Sequence, residues 1–105
     1  MDDQSLAVVV GTFDARPGQG REVGALLARY AVMSRREPGC RNIDLVASLT
    51  TADRFLVYEK WESLPAQAEH LSSPAFRELG ETVAPLLDRP ADFGLYEAIS
   101  AHDLH

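Results

Sequence analysis

Apolar positions recur along this chain with two different periods, and the change of period marks its elements. Residues 6–13, Leu-Ala-Val-Val-Val-Gly-Thr-Phe, are β-branched and aromatic enough for a strand. Leu6, Val8 and Val10 fall on one side of it and Ala7, Val9 and Phe13 on the other, so this strand expects burial on both faces. Arg16-Pro17-Gly18 breaks the run, and Val23, Leu26, Leu27, Tyr30 and Met33 then follow one helical stripe from Arg21 to an end at Arg36. Pro38-Gly39 is the stop. In residues 42–49, Ile43, Leu45, Ala47 and Leu49 alternate with Asn42, Asp44, Val46 and Ser48, a second strand with one apolar face. The polar string 50–54 is short enough for a hairpin. A third strand over 55–62 sets Phe55, Val57, Glu59 and Trp61 against Leu56, Tyr58 and Lys60.

Ser63 can cap a short helix over 64–71, with Pro65 tolerated in its first turn. Ser72-Ser73-Pro74 repeats that start signal for a second piece carrying Phe76, Leu79 and Val83, which Pro85 ends or kinks. A last strand over 93–99 puts Phe93, Leu95, Glu97 and Ile99 on one face, and residues 100–105 read as a frayed tail. The order strand, helix, strand, strand, helix pair, strand predicts an α+β, ferredoxin-like βαββαβ domain with a four-stranded antiparallel sheet. Helices on one side cover only one face of such a sheet. The two-sided first strand therefore asks for a second copy of the chain on the other face, since an open sheet of this kind leaves a large apolar patch.

Length and charge narrow the function. At 105 residues and 46% apolar content the chain is one domain, 1–105, with a core over about 6–99. The longest apolar run, 6–10, is too short to span a bilayer, and the acidic start Met1-Asp2-Asp3 is unlike a secretory signal, so a cytoplasmic setting without a membrane partner is expected. A net charge of −6 with scattered basic residues disfavours nucleic acid. The single cysteine, Cys40, cannot form an internal disulfide or begin a cysteine-based zinc site, and is expected to pack as a small residue. Gly18 and Gly20 lack the third glycine of a dinucleotide fingerprint.

Three motifs in order, Arg36-Glu37-Pro38-Gly39-Cys40, Tyr58-Glu59-Lys60-Trp61, and His70 followed by Ser73-Pro74-Ala75-Phe76, resemble the antibiotic-biosynthesis monooxygenase domain, including its quinol-monooxygenase-like members. The resemblance runs over nearly the whole chain. It implies a dimeric α+β barrel and oxygenation of a quinol or polycyclic hydroxyaromatic by dioxygen without flavin, haem or metal, the substrate supplying the electrons. The protein then excludes water, holds the ring, favours the ionised phenol and stabilises developing oxyanions.

Within that frame, His70 suits removal of a phenolic proton because imidazole ionises near neutrality; the plainer reading is a surface or capping histidine. Asn42 could donate its amide to an oxyanion, or serve only as a turn residue. Trp61 and Tyr58 point to opposite strand faces, so one faces a pocket and the other the dimer, and Trp61 also reads as a core aromatic. Glu59, a carboxylate on an apolar face, needs a pocket or a partner, such as an arginine across the dimer. Phe76, Leu79, Val83 and Phe93 read as core and as the apolar wall of a cavity, and Tyr96 could offer its phenol to a bound quinol. His102 and His105 are expected bystanders. The alternatives are a non-catalytic dimeric ligand-binding or stress-related protein of the same shape, a haem-degrading relative, weakened because residues 6–13 contain no Asn, and a sugar or lactone isomerase, disfavoured by the aliphatic and aromatic bias.

Overall fold

A computed structural model describes residues 5–100. Strand β1 (Ala7–Asp14) leads through helix α1 (Gly20–Ser34) to the hairpin β2 (Cys40–Ala47) and β3 (Arg54–Trp61). Helices α2 (Leu64–His70) and α3 (Pro74–Val83), a 3₁₀ turn at Ala84–Leu86 and β4 (Asp92–Glu97) complete it. The strands form one sheet in the order β2-β3-β1-β4, every neighbour pair antiparallel, which is the α+β ferredoxin-like arrangement. Among the described residues no helix is long and apolar enough to cross a membrane.

Alternation decides the faces. Ala7, Val9 and Phe13 of β1, Ile43 of β2, and Val57, Glu59 and Trp61 of β3 all turn inward, where Val23, Leu27 and Tyr30 of α1 and Leu79 and Val83 of α3 close over them. Burying a side chain such as Leu27 or Val23 completely is worth about 1.5–3 kcal/mol. The opposite face carries a smaller cluster of Leu6, Val8 and Ala98, with Val10 and Tyr58 half-buried beside it and Val46 and Tyr96 exposed. At the sheet's end Asp14 accepts two hydrogen bonds from Arg54, at 2.7 and 3.2 Å, and this pairing holds its carboxyl below the usual range.

The caps follow the sequence. Ser63 and Ser73 each accept a hydrogen bond from the backbone N–H three residues on, Ala66 and Phe76, at 3.2 Å, with a proline in each first turn. Several boundaries shift by one or two residues from expectation, Leu49 and Ile99 falling outside their strands, and two of the shifts bear on the site. Helix α1 stops at Ser34 rather than Arg36, because Arg35 and Arg36 enter a turn; the Arg35 guanidinium donates to the Ile43 carbonyl at 3.1 and 2.6 Å and ties that turn to β2. Strand β2 starts earlier, at Cys40, with a bulge between Cys40 and Asn42. Gly39 is required here: its φ is +85°, and a Cβ on it would lie 2.6 Å from the Cβ of Ala66. This close approach of the turn to α2 brings Glu37 to His70. The expected tail falls largely outside the described residues, His102 and His105 included.

Candidate active site

His70 is the last residue of α2 and is almost wholly buried, its side chain 1% exposed. Its Nδ1 lies 2.8 Å from Glu37 Oε1, in the turn after α1, and 3.5 Å from the Ser73 hydroxyl. Its Nε2 lies 2.7 Å from the Tyr30 hydroxyl, on α1. Tyr30 also stands 2.5 Å from Glu59 Oε2, while Trp61 Nε1 donates to Glu59 Oε1 at 2.9 Å. Glu59 and Trp61 are two residues apart on β3 and therefore share its inward face. The Trp61 ring covers one side of the imidazole at 4.5 Å, and the Phe76 edge meets it at 5.4 Å.

The pattern of donors constrains the protons. An ionised carboxylate only accepts and a tyrosine has one proton to give. Burial, reinforced by Glu59 and then Glu37, pushes the Tyr30 hydroxyl far above its ordinary range, so Tyr30 stays a neutral hydrogen-bonding link. Both nitrogens of His70 are engaged. Neither presents a lone pair to a haem iron without breaking its bond to Glu37 or Tyr30, so the arrangement does not fit a haem ligand. Among the described residues no group of three or more His, Cys, Asp or Glu side chains is placed to hold a metal ion.

This cluster forms one end of a cavity of about 260 Å³ between the sheet and the α2–α3 pair. Val9, Leu71, Phe76, Phe93 and Leu95 make its apolar wall, and Tyr30, Glu59, Gln67 and His70 its polar end. Gln67 is 7% exposed. A second apolar cavity of about 400 Å³ lies behind Phe76 and Phe93, which line both.

The expected site residues divide accordingly. His70, Glu59, Phe76 and Phe93 come together at the first cavity. Leu79 and Val83 line the second one instead. Trp61 is fully buried behind His70 and is support rather than wall. The expected arginine partner of Glu59 gives way to Tyr30 and Trp61 of the same chain. Asn42 does not reach the cavity: it is exposed, lies on the opposite sheet face opposite Lys60, and donates to Asp44 at 3.0 Å. Tyr58 and Tyr96 are on that same open face, Tyr96 exposed, because each stands an odd number of residues from an inward neighbour. Tyr30, Glu37 and Gln67 were absent from the expected set. The available signal was a hydroxyl inside the apolar stripe of α1, facing the same interior as the Glu59 carboxylate; two buried polar groups of that kind require each other.

Residues 6–82 match the family model described as antibiotic biosynthesis monooxygenase. The protein sll1783 of Synechocystis is 31% identical over 97 residues, which are 92% of this chain and 66% of that protein. Rv0793 of Mycobacterium tuberculosis is 33% identical over 82% of this chain and 84% of its own length. The solved structure of Rv0793 superposes with a TM-score of 0.87, at 28% identity, over 94% of this chain and all of that one. A solved structure from Nitrosomonas europaea shares the fold, with a TM-score of 0.89 at 18% identity over 98% and 99% of the two chains. On these grounds the chain belongs to the antibiotic biosynthesis monooxygenase family.

Proposed function

We propose that this protein is a cofactor-independent monooxygenase that oxidises a quinol or small hydroxyaromatic with dioxygen. The observation that carries this reading is the buried Glu37–His70–Tyr30–Glu59 cluster at the polar end of an otherwise apolar cavity. Removing a hydroxyl proton from such a substrate makes it electron-rich enough to reduce dioxygen; one oxygen atom enters the ring and the other leaves as water with the substrate's own electrons. An apolar wall and fixed hydrogen-bonding groups suit that chemistry. A volume of about 260 Å³ fits one or two fused rings, and the Gln67 amide at its polar end supplies a contact for a second oxygen on the ring. Polycyclic substrates need the space behind Phe76 and Phe93 as well.

The working unit in this reading is a homodimer. The face opposite the helices carries Val10, Tyr58, Val46 and Tyr96 with no layer of the described residues over them. Sedimentation at micromolar concentration should give twice the chain mass.

Oxygen uptake by the metal-stripped protein with hydroquinones, naphthohydroquinones and anthrones tests the activity. Uptake above autoxidation that falls about 100-fold or more in His70→Ala is expected. No protein-dependent uptake across the panel, or uptake indifferent to His70→Ala, overturns the reading.

A further inference from the structure

His70 lines two separate spaces. One is the inner apolar cavity; the other is an outer cleft of about 560 Å³ bordered by Glu37, Pro38, Glu62, Ser63 and Glu69. Between them runs an unbroken chain of hydrogen bonds: Glu59 to Tyr30 at 2.5 Å, Tyr30 to His70 Nε2 at 2.7 Å, and His70 Nδ1 to Glu37 at 2.8 Å. Glu59 is sealed inside, its side chain 2% exposed, whereas that of Glu37 is 20% exposed.

Each of these bonds holds one proton, and the set can point either way. In one arrangement Glu59 donates to Tyr30, Tyr30 to Nε2, and Nδ1 to the Glu37 carboxylate. In the other Glu37 donates to Nδ1, Nε2 to Tyr30, and Tyr30 to the Glu59 carboxylate. Both carry a net charge of −1. Shifting every proton across its own bond converts the first into the second, which moves one proton from Glu59 to Glu37 while no heavy atom changes place. Tyr30 remains neutral throughout.

We propose that Glu59, Tyr30, His70 and Glu37 form a proton relay from the inner cavity to the outer cleft, with Glu59 as the base that meets the substrate and Glu37 as the exit. The inference rests on reading the inner cavity as the place where a hydroxyaromatic ionises, and it moves the contact with substrate from His70 to Glu59. The substrate O–H breaks, its proton passing to ionised Glu59 and its electron pair staying on the phenolate oxygen. The relay shift then leaves Glu59 ionised again and the proton on Glu37, which loses it to water. The cycle closes when the imidazole swings away from Tyr30, gives up its Nε2 proton to water, takes one from water at Nδ1 and returns, the Tyr30 hydroxyl turning back to Nε2. Around His70 the charged or titratable neighbours are Glu37 from the turn, Tyr30 from α1 and Glu59 from β3, with Glu62 and Glu69 bordering the cleft.

The test needs no oxygenation. The protein is mixed rapidly with 4-nitrophenol below the pH at which that phenol ionises in water, while phenolate absorbance and a pH-indicator dye are followed together. In the wild type, phenolate formation and proton release should share one rate constant. In Glu37→Gln the phenolate should still form, with release to the dye lagging at least tenfold; His70→Gln, a second cut in the same chain, should show the same lag. Glu59→Gln should abolish the bound phenolate, with its thermal melt showing that it is folded. Release in Glu37→Gln keeping pace with the wild type, full phenolate amplitude in folded Glu59→Gln, or no bound phenolate in the wild type overturns the relay. Intact proton release without oxygen uptake on quinols sinks the oxygenase reading alone, and uptake without coupled release sinks the relay alone.

Discussion

The imidazole of His70 lies 4.5 Å from the indole of Trp61, with the ring planes 32° apart, and the same indole donates its N–H to Glu59 at 2.9 Å. One side chain thus fixes both the orientation of the histidine and a lone pair of the carboxylate. Trp61→Phe keeps an aromatic ring behind His70 but removes the donor and part of the volume. It should cost about 2–4 kcal/mol, combining an unsatisfied buried acceptor with a small void. Urea unfolding followed by circular dichroism measures this, and a loss below about 0.5 kcal/mol would mean that Glu59 does not depend on the indole.

Tyr30→Phe removes one oxygen and leaves two groups facing an apolar ring edge, His70 Nε2 and Glu59 Oε2. Because both are buried, water does not replace the lost hydroxyl cheaply. A destabilisation of about 2–4 kcal/mol is expected from the same unfolding measurement. An unchanged midpoint would show that the two groups find other partners.

The parts of this molecule written in local pattern were legible in its sequence. The alternation in β1 and β3 assigned each residue to its face, and Ser63-Leu64-Pro65 and Ser73-Pro74 marked two helix starts that the structure keeps. The site was half legible. His70 and Glu59 stood out as polar groups amid apolar neighbours, yet their partners Tyr30 and Glu37 are 29 to 40 residues away along the chain. That meeting depends on how α1 crosses the sheet and on the tight turn at Gly39, neither of which a periodicity encodes. Asn42 was misplaced against the pattern itself: it alternates with inward-facing Ile43 and so lies on the open face, where a neighbouring carboxylate takes its amide.

Cys40 should be a slow nucleophile. Burial, with help from Glu59 and Glu37, pushes its thiol from 9.0 up to about 11. At pH 8 roughly one thiol in a thousand is then ionised, and alkylation by iodoacetamide should run about 100-fold slower in the folded than in the unfolded chain. The rate should climb about tenfold per pH unit up to near pH 11. The sign for stability follows from the same shift: the folded thiol holds its proton more tightly than the unfolded one, so its contribution is present below pH 9 and is lost as the pH rises towards 11. Cys40→Ser should remove that alkaline decline in a melting series; a decline of equal size in the variant would assign it to other groups.

Gly11 sets how far the Phe93 ring can lie down on the sheet. A Cβ at position 11 would stand 2.9 and 3.1 Å from two carbons of that ring, and 3.2 Å from the Phe13 ring. Phe93 is 43% exposed and on the last strand, so it can swing rather than force the backbone apart. It lines the inner cavity together with Phe76, its ring centroid 5.9 Å away, so any swing changes the cavity's wall. Gly11→Ala is therefore expected to fold normally but to bind 4-nitrophenol about 3- to 10-fold more weakly, up to about 1.4 kcal/mol. Gly24→Ala is the control: its Cβ meets only Phe55, at 3.3 and 3.4 Å, on the far side from the cavity. Calorimetric titration of the two variants separates the cases. Equal affinities would mean that Phe93 is not part of the binding wall, whereas a loss confined to Gly11→Ala ties the depth of the cavity to the one position in β1 that lacks a side chain.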